Sequence, residues 1–330
     1  MRRGTILVTG GAGYIGSHVV LKLTERGERV VVLDDLSHGF RRAVLDAPLV
    51  VGHTGDRELV LEVLRAHGVE TVIHCAASTI VPRSVREPLF YYRNNTCATG
   101  SLLECCVERG VRYFVFSSSA AVYGIPASGF AHEDSLTQPI NPYGSSKLMS
   151  EWMLRDVAAA SSLRYVSLRC FNVCGSDVSA RIGQATRDAT LLVKVACQAA
   201  VGHRPHVSIF GTDYPTPDGT AVRDYIHVED VAGSHVAALD YLRNGGASTM
   251  LNAGYGRGYS VREVLASVER VRGRSLVIRE EPRRPGDSPR LVARAERIRA
   301  QLGWQPRLDD LDTIVRSALQ WEQQLLREPW

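Results

Sequence analysis

The stretch Ile6-Leu7-Val8-Thr9-Gly10-Gly11-Ala12-Gly13-Tyr14-Ile15-Gly16 reads as a short apolar strand, a glycine turn and the opening of a helix. Small residues in such a turn let the backbone approach a pyrophosphate, while the helix N-terminus offers free N–H groups and the positive end of its dipole. The glycines are spaced GxxGxxG rather than GxGxxG, and a purely structural turn would use the same residues. The strand before them and the helix after them favour a dinucleotide site built on Gly10, Gly13 and Gly16. Asp34 ends the next apolar run, 18 residues after Gly16, where a carboxylate accepts hydrogen bonds from the adenosine ribose hydroxyls. An acid there repels a 2′-phosphate, so the expected cofactor is NAD rather than NADP. Asp56, in Gly55-Asp56-Arg57, suits either the adenine edge or the N-cap of a helix.

Outward from this unit, Val- and Ile-rich runs recur at 30–33, 49–51, 71–75, 113–116 and 165–171. Helical patterns fall between them at about 15–26, 57–67, 95–108 and 143–160. Continuous apolar strands alternating with helices predict an α/β fold, a Rossmann-type doubly wound parallel sheet. Such a sheet binds ligands at the carboxyl ends of its strands. After Gly175 the runs thin out to 207–210 and 277–279, and Pro/Gly-rich segments appear at 214–219 and 282–289. We therefore expect an NAD-binding Rossmann domain over 1–175, with 222–248 returning to it. A smaller C-terminal substrate-binding domain is expected from 176–221 and 249–330.

The 330 residues, 45% of them apolar and 22% charged, suffice for a core of that size. A net charge of +4, with Lys/Arg runs that stop at pairs such as Arg41-Arg42, speaks against a nucleic-acid partner. No stretch approaches the ~20 apolar residues of a membrane span. The run at 6–8 behind Arg2 and Arg3 is too short for a signal-peptide core. Seven cysteines without a CxxC read as reduced thiols, hence a cytoplasmic setting, and no metal site is expected.

The second motif is Tyr143-Gly144-Ser145-Ser146-Lys147, downstream of Ser119 at the end of a strand. Positions i and i+4 share a helix face. A Lys ammonium beside a phenol favours phenolate, lowering a pKa that starts near ~10, and such a Tyr can act as general base. A YxxxK string is common on exposed helices and means little alone. Its place after the Ser-bearing strand, downstream of a dinucleotide turn, gives it weight.

These motifs sit among longer stretches: GGAGYIGSH (10–18), FSSSAAVYG (116–124), NPYGSSKLM (141–149), RCFNV (169–173), IFGTDYPTPDGTAVRDYIH (209–227) and RPGD (284–287). On them, and nearly end to end, the chain resembles the extended short-chain dehydrogenases/reductases, and within that superfamily the UDP-galactose 4-epimerases. The resemblance implies an isomerase that inverts C4 of a UDP-sugar through a 4-keto intermediate, by default UDP-glucose/UDP-galactose, in a homodimer. It implies that Gly10, Gly13, Tyr14, Ile15, Gly16, Asp34, Asp56, Ala76, Asn95 and Lys147 line the NAD site. Ser119, Tyr143 and Lys147 would form the catalytic set. Thr79, Ser119, Asn172, Phe210, Arg223, Arg284, Asp287 and Leu291 would meet the UDP-sugar, Asn172 and Arg223 at its diphosphate. Read as residues alone, Phe210 also suits a core aromatic and Asp287 a turn.

The chain departs from the family pattern at three places. Thr79 stands where many relatives carry Lys, Cys170 replaces a usual Tyr, and Leu291 holds a position that is Tyr in some. None is expected to touch the catalytic set, so they bear on the sugar rather than on the reaction. Related dehydratases and decarboxylases need an acid close after the catalytic Ser/Thr, and Ser119-Ala120-Ala121-Val122-Tyr123 has none. Arg181 and Arg187 could meet a C6 carboxylate bidentately, which keeps UDP-glucuronate as an alternative beside UDP-N-acetylglucosamine. A non-catalytic NAD-sensing protein is the alternative of a different class, but such proteins typically lose the Tyr/Lys pair.

Overall fold

The computed structural model describes residues 4–186, 189–284 and 287–330. Its strands are β1 (Thr5–Thr9), β2 (Val30–Asp34), β3 (Leu49–Val51), β4 (Val69–His74), β5 (Tyr113–Ser119), β6 (Phe130–Ala131) and β7 (Arg164–Cys170). They continue as β8 (Asn172–Cys174), β9 (Val207–Phe210), β10 (Val222–His227), β11 (Thr249–Ala253), β12 (Gly258–Ser260), β13 (Ile278–Glu281) and β14 (Arg290–Ala293). The first helices are α1 (Tyr14–Glu25), α2 (Arg57–Ala66), α3 (Val81–Arg86), α4 (Pro88–Tyr91), α5 (Ala98–Glu108) and α6 (Pro142–Ala160). The later ones are α7 (Leu192–Ala200), α8 (Val228–Arg243), α9 (Val261–Arg272), α10 (Glu296–Leu302) and α11 (Leu311–Arg327).

A parallel sheet in the order β11-β7-β5-β4-β1-β2-β3 forms the body of the protein. Every residue of β1 is buried, as expected of a strand covered on both faces. Alternate residues point to opposite faces, so Ile6 and Val8 enter one apolar cluster and Leu7 the other. The winding reverses at β1, with β2 on one side and β4 on the other. A crevice therefore opens at the carboxyl ends of β1 and β4, where the glycine turn lies.

A smaller sheet runs β12-β10-β14-β6, with β8 paired to β10, and β9 pairs with β13. The cluster on the Ile6 face continues through Val173, Tyr225, Leu291 and Ile314, so both regions share one core. The expected boundary at 249 falls too early: β11 hydrogen-bonds to β7 and extends the parallel sheet. Within 222–248, α8 does return to the Rossmann body, packed on α1, β5 and β7, while β10 belongs to the smaller sheet. A short strand has no periodicity long enough to reveal which sheet it joins. The helix expected over 95–108 is present and starts earlier, since Tyr92–Cys97 winds as a π-helix that joins α4 to α5 without a break. No helix among the described residues is long and apolar enough to cross a membrane.

Candidate active site

The glycine turn leaves no room for side chains. Gly10 has φ +68°, and a Cβ on it would stand 2.5 Å from the Ala76 amide nitrogen. A Cβ on Gly16 would lie 2.1 Å from the Gly10 carbonyl oxygen. Helix α1 starts at Gly13 with no side-chain cap, so its leading N–H groups remain available to an anion. Asp34 closes the turn from β2: its two carboxylate oxygens accept from the N–H groups of Ala12 and Leu36, each at 2.9 Å. Burial raises its pKa, and those two hydrogen bonds oppose the rise. This is a fitting cradle for a dinucleotide pyrophosphate with a 2′-hydroxyl ribose. Tyr14 donates its hydroxyl to Gly175 O at 2.6 Å, tying α1 to the smaller region, and Ile15 packs against the core.

Two predicted cofactor residues play supporting parts. Asp56 caps α2, accepting from Leu59 N at 3.2 Å, so of its two readings the N-cap is the one observed. Asn95 is buried in the π-helix before α5. Its Oδ1 accepts from Ser78 N at 2.8 Å, and its Nδ2 donates to Ser78 O and Ser146 Oγ, both at 3.0 Å. It thereby pins the loop after β4, with Ala76 and exposed Thr79, to helix α6.

Helix α6 is started by Asn141, whose Oδ1 accepts from Gly144 N at 2.9 Å, with Pro142 in the first turn. That start puts Tyr143 in the first turn and Lys147 one turn later, over the end of β5. Tyr143 lies near Ser119, which acts on its phenol. Its phenol is pushed up to about 12 by burial, against the lowering effect of Ser119, with Cys170 and Tyr91 raising it further. The expectation that Lys147 lowers this phenol's pKa is not met. Lys147 Nζ donates instead to Ser117 O at 2.9 Å and lies 4.8 Å from the centre of the Phe116 ring. Burial brings the ammonium down to about 8, opposed by Cys75, Cys170 and Glu151. The i,i+4 spacing put both side chains on one face, but α6 packs on β5, whose carbonyl captures the amine.

Cys170 corrects a second expectation. It pairs with Ser119 across β5 and β7, and its thiol bears on both Tyr143 and Lys147. The departure from Tyr therefore touches the catalytic set. Cys75, Phe116 and the Ser117 carbonyl also escaped the sequence reading, and a backbone carbonyl has no sequence signal at all. Glu151 could have been found, one turn past Lys147 on the same helix face.

The remaining residues follow along neighbouring strands. Two positions after Cys170, Asn172 opens β8 opposite Tyr225 of β10. Two positions before Tyr225, Arg223 sits opposite Leu291 of β14. Arg223 is held only by the Val222 carbonyl at 2.9 Å, and it has no ion-pair partner among the described residues. Burial lowers its pKa, and Arg284 adds to the lowering. Tyr225 and Asp287 oppose that lowering, and a half-buried Arg223 beside the exposed Arg284 leaves two guanidinium groups within reach of one polyanion. Arg284 also binds Asp287 at 2.9 Å and lies 4.7 Å from the centre of the Phe210 ring. Phe210 is 38% exposed, so it is not the core aromatic it might have been, and its ring is open to a flat ligand. Leu291, by contrast, is buried within the main apolar cluster.

Arg181 turns away from the site. It pairs with Asp177 at 2.8 Å and with Glu25 at 3.0 Å, at the far end of α1, about 16 Å from the glycine turn. Arg187 lies outside the described residues.

The same fold and sequence pattern recur in known proteins. Residues 6–254 match the family model described as NAD dependent epimerase/dehydratase family. UDP-glucose 4-epimerase of Azospirillum brasilense is 58% identical over 321 residues, covering 97% of this chain and 92% of that protein. The crystal structure of UDP-glucose 4-epimerase from Brucella ovis in complex with NAD superposes with a TM-score of 0.94 at 42% identity, over 97% of this chain and 99% of that one. The UDP-Glc/GlcNAc 4-epimerase of Campylobacter jejuni gives a TM-score of 0.86 at 42% identity, covering 98% of this chain and 100% of that one. With a family match over three quarters of its length and relatives this similar throughout, the chain belongs to the NAD dependent epimerase/dehydratase family.

Proposed function

We propose that this enzyme interconverts UDP-glucose and UDP-galactose by inverting C4 through a 4-keto sugar. The observation that carries the proposal is that no carboxylate acts on the Tyr143 phenol among the described residues. Ser119, Cys170 and Tyr91 are the groups that bear on its phenol, so proton transfer at one hydroxyl is served and elimination of water is not. Gly10, Gly13, Gly16 and Asp34 would hold the cofactor's pyrophosphate and adenosine ribose, and Lys147 its nicotinamide ribose. NAD held there would supply the hydride acceptor and donor that inversion at C4 requires. Tyr143 takes the proton from the 4-hydroxyl and gives it back, with Ser119 sharing the hydrogen bond. Asn172, Arg223 and Arg284 anchor the diphosphate, and Phe210 stacks on the uracil, while the sugar is left loose enough to turn. Product analysis on a panel of UDP-sugars tests the assignment, and failure to convert UDP-glucose to UDP-galactose overturns it.

The retained Tyr143/Lys147 pair leaves the non-catalytic, NAD-sensing reading without support. Arg181, committed to Glu25 and Asp177, gives no support to UDP-glucuronate. A second substrate, UDP-N-acetylglucosamine, is favoured by Leu291, which provides neither ring nor hydroxyl beside Arg223, and by the dual activity named for the Campylobacter relative. Leu291→Tyr is expected to reduce kcat/KM for UDP-N-acetylglucosamine about tenfold or more, with UDP-glucose changed less than threefold, because added bulk penalises the larger substituent. Equal effects on both sugars count against the gate.

Because the reaction regenerates its cofactor, the purified protein should carry NAD with none added. Chromatography of the supernatant after denaturation checks this; NADP(H), or no nucleotide, is the contrary result. Seven free cysteines suit a reducing cytoplasm. Exposed Val85, Leu89 and Trp152 lie on α3, α4 and α6, which pack on one another, and we assign that face to a second copy of the chain.

A further inference from the structure

The segment after α11, Glu328-Pro329-Trp330, folds back over the adenosine end of the cofactor cradle. The loop that follows Asp34 is fastened inward, since Phe40 N donates to Ala12 O at 3.0 Å and Ala12 N donates to Asp34. On its outer side the loop meets Trp330. The Phe40 ring lies 5.8 Å from that indole, and the Arg42 guanidinium sits 5.0 Å from its centre. Arg42 also pairs with Glu328 at 3.3 Å and donates to Pro329 O at 3.4 Å.

Trp330 has a second partner. Its ring stands edge-on to Trp321 of α11, with centroids 4.8 Å apart. Trp321 is buried, donates Nε1 to Gln184 O at 3.0 Å, and lies so close to Gly183 that a Cβ there would come within 2.6 Å of the indole. Gln184 O also accepts from Lys194, which pairs with buried Glu322. Phe40 and Arg42 of the cofactor loop are thus joined to Gly183 and Gln184 through two tryptophans.

We propose that Trp330 is a clamp on the 36–44 loop that slows release of NAD without taking part in the chemistry. The proposal rests on the assignment of the glycine turn and Asp34 to NAD. A dinucleotide seated against Ala12 and Asp34 leaves only when that loop lifts, and lifting it strips Phe40 and Arg42 from Trp330. The two ends of the loop are anchored, Leu36 against the main apolar cluster and Ala43 and Val44 buried, whereas its middle, with exposed Ser37 and His38, is covered on the outside by Trp330 through Phe40 and Arg42.

The test is the rate of NAD loss from holoenzyme. Trp330→Ala, purified with its cofactor, is expected to release NAD about tenfold faster or more on dilution, as followed by nucleotide retained after rapid gel filtration. Trp330→Phe, which keeps a ring against Phe40 and Trp321, should recover most of the retention. Turnover at saturating added NAD and UDP affinity should each stay within about twofold in both variants. Unchanged NAD release in Trp330→Ala overturns the clamp, and so does a matching loss of UDP affinity, which would mark a general structural role. Wild type that carries no NAD at all would instead overturn the cofactor assignment on which the clamp depends.

Discussion

Tyr143→Phe is expected to lower kcat by ~10²–10⁴-fold while leaving UDP affinity and unfolding temperature nearly unchanged. The substitution removes one oxygen. That oxygen lies near Ser119 and is the group proposed to move the proton of the 4-hydroxyl, while the ring remains in the first turn of α6. In the ligand-free chain the phenol lies at about 12, so little phenolate exists at neutral pH. Lys147, brought down to about 8 by burial, does not lower that phenol's pKa and instead holds Ser117 O. Lys147→Ala removes the amine proposed to hold the nicotinamide ribose, so it should cost at least as much as Tyr143→Phe and should also weaken NAD retention. Single-turnover rates with bound NAD separate the two losses. Tyr143→Phe with more than a tenth of wild-type kcat would remove Tyr143 from the mechanism.

Glu151→Ala is expected to destabilise the fold by about 3–5 kcal/mol, the usual cost of leaving a buried charge without its partner. Glu151 is 1% exposed and pairs with Arg169 at 2.7 Å, itself 3% exposed. Its Oε1 also accepts from Ser118 Oγ at 2.6 Å and Ser167 Oγ at 3.3 Å. Arg169 reaches on to the Tyr123 hydroxyl at 2.9 Å, and Tyr123 donates to Asn252 Oδ1 at 2.7 Å. One network therefore ties the catalytic helix to β5, β7 and β11. Replacing both charges, as Glu151→Met with Arg169→Met, should recover much of the loss, because no charge is then stranded. Denaturant unfolding at a fixed excess of NAD measures both, since bound cofactor would otherwise shift the midpoint. A loss below 1 kcal/mol in Glu151→Ala would mean that water or a rotamer change relieves Arg169.

Local chemistry carried most of what the chain announces about itself. The run from Ile6 to Gly16 specifies strand, turn and helix because each residue's own conformational preference agrees with its neighbours'. Asn141-Pro142 starts α6 in the same way, and the i,i+4 rule then puts Tyr143 and Lys147 on one face. Asp34 is legible because it ends β2 at a set distance from the turn.

Contacts between residues far apart in the chain were decided by the tertiary structure alone. Lys147 could have met the phenol or a carbonyl of β5, and packing of α6 on the sheet chose Ser117 O. Cys170 came beside Tyr143 because β5 and β7 are neighbours, although 53 residues separate Ser117 from Cys170 in the hydrogen bond that joins those strands. Arg181 took Glu25 and Asp177 rather than a substrate carboxylate, and β11 joined the parallel sheet rather than the smaller region. In each case the side chain or strand had several chemically acceptable partners. Local preference does not rank them; proximity in the folded core, with the cost of leaving a buried polar group unpaired, does.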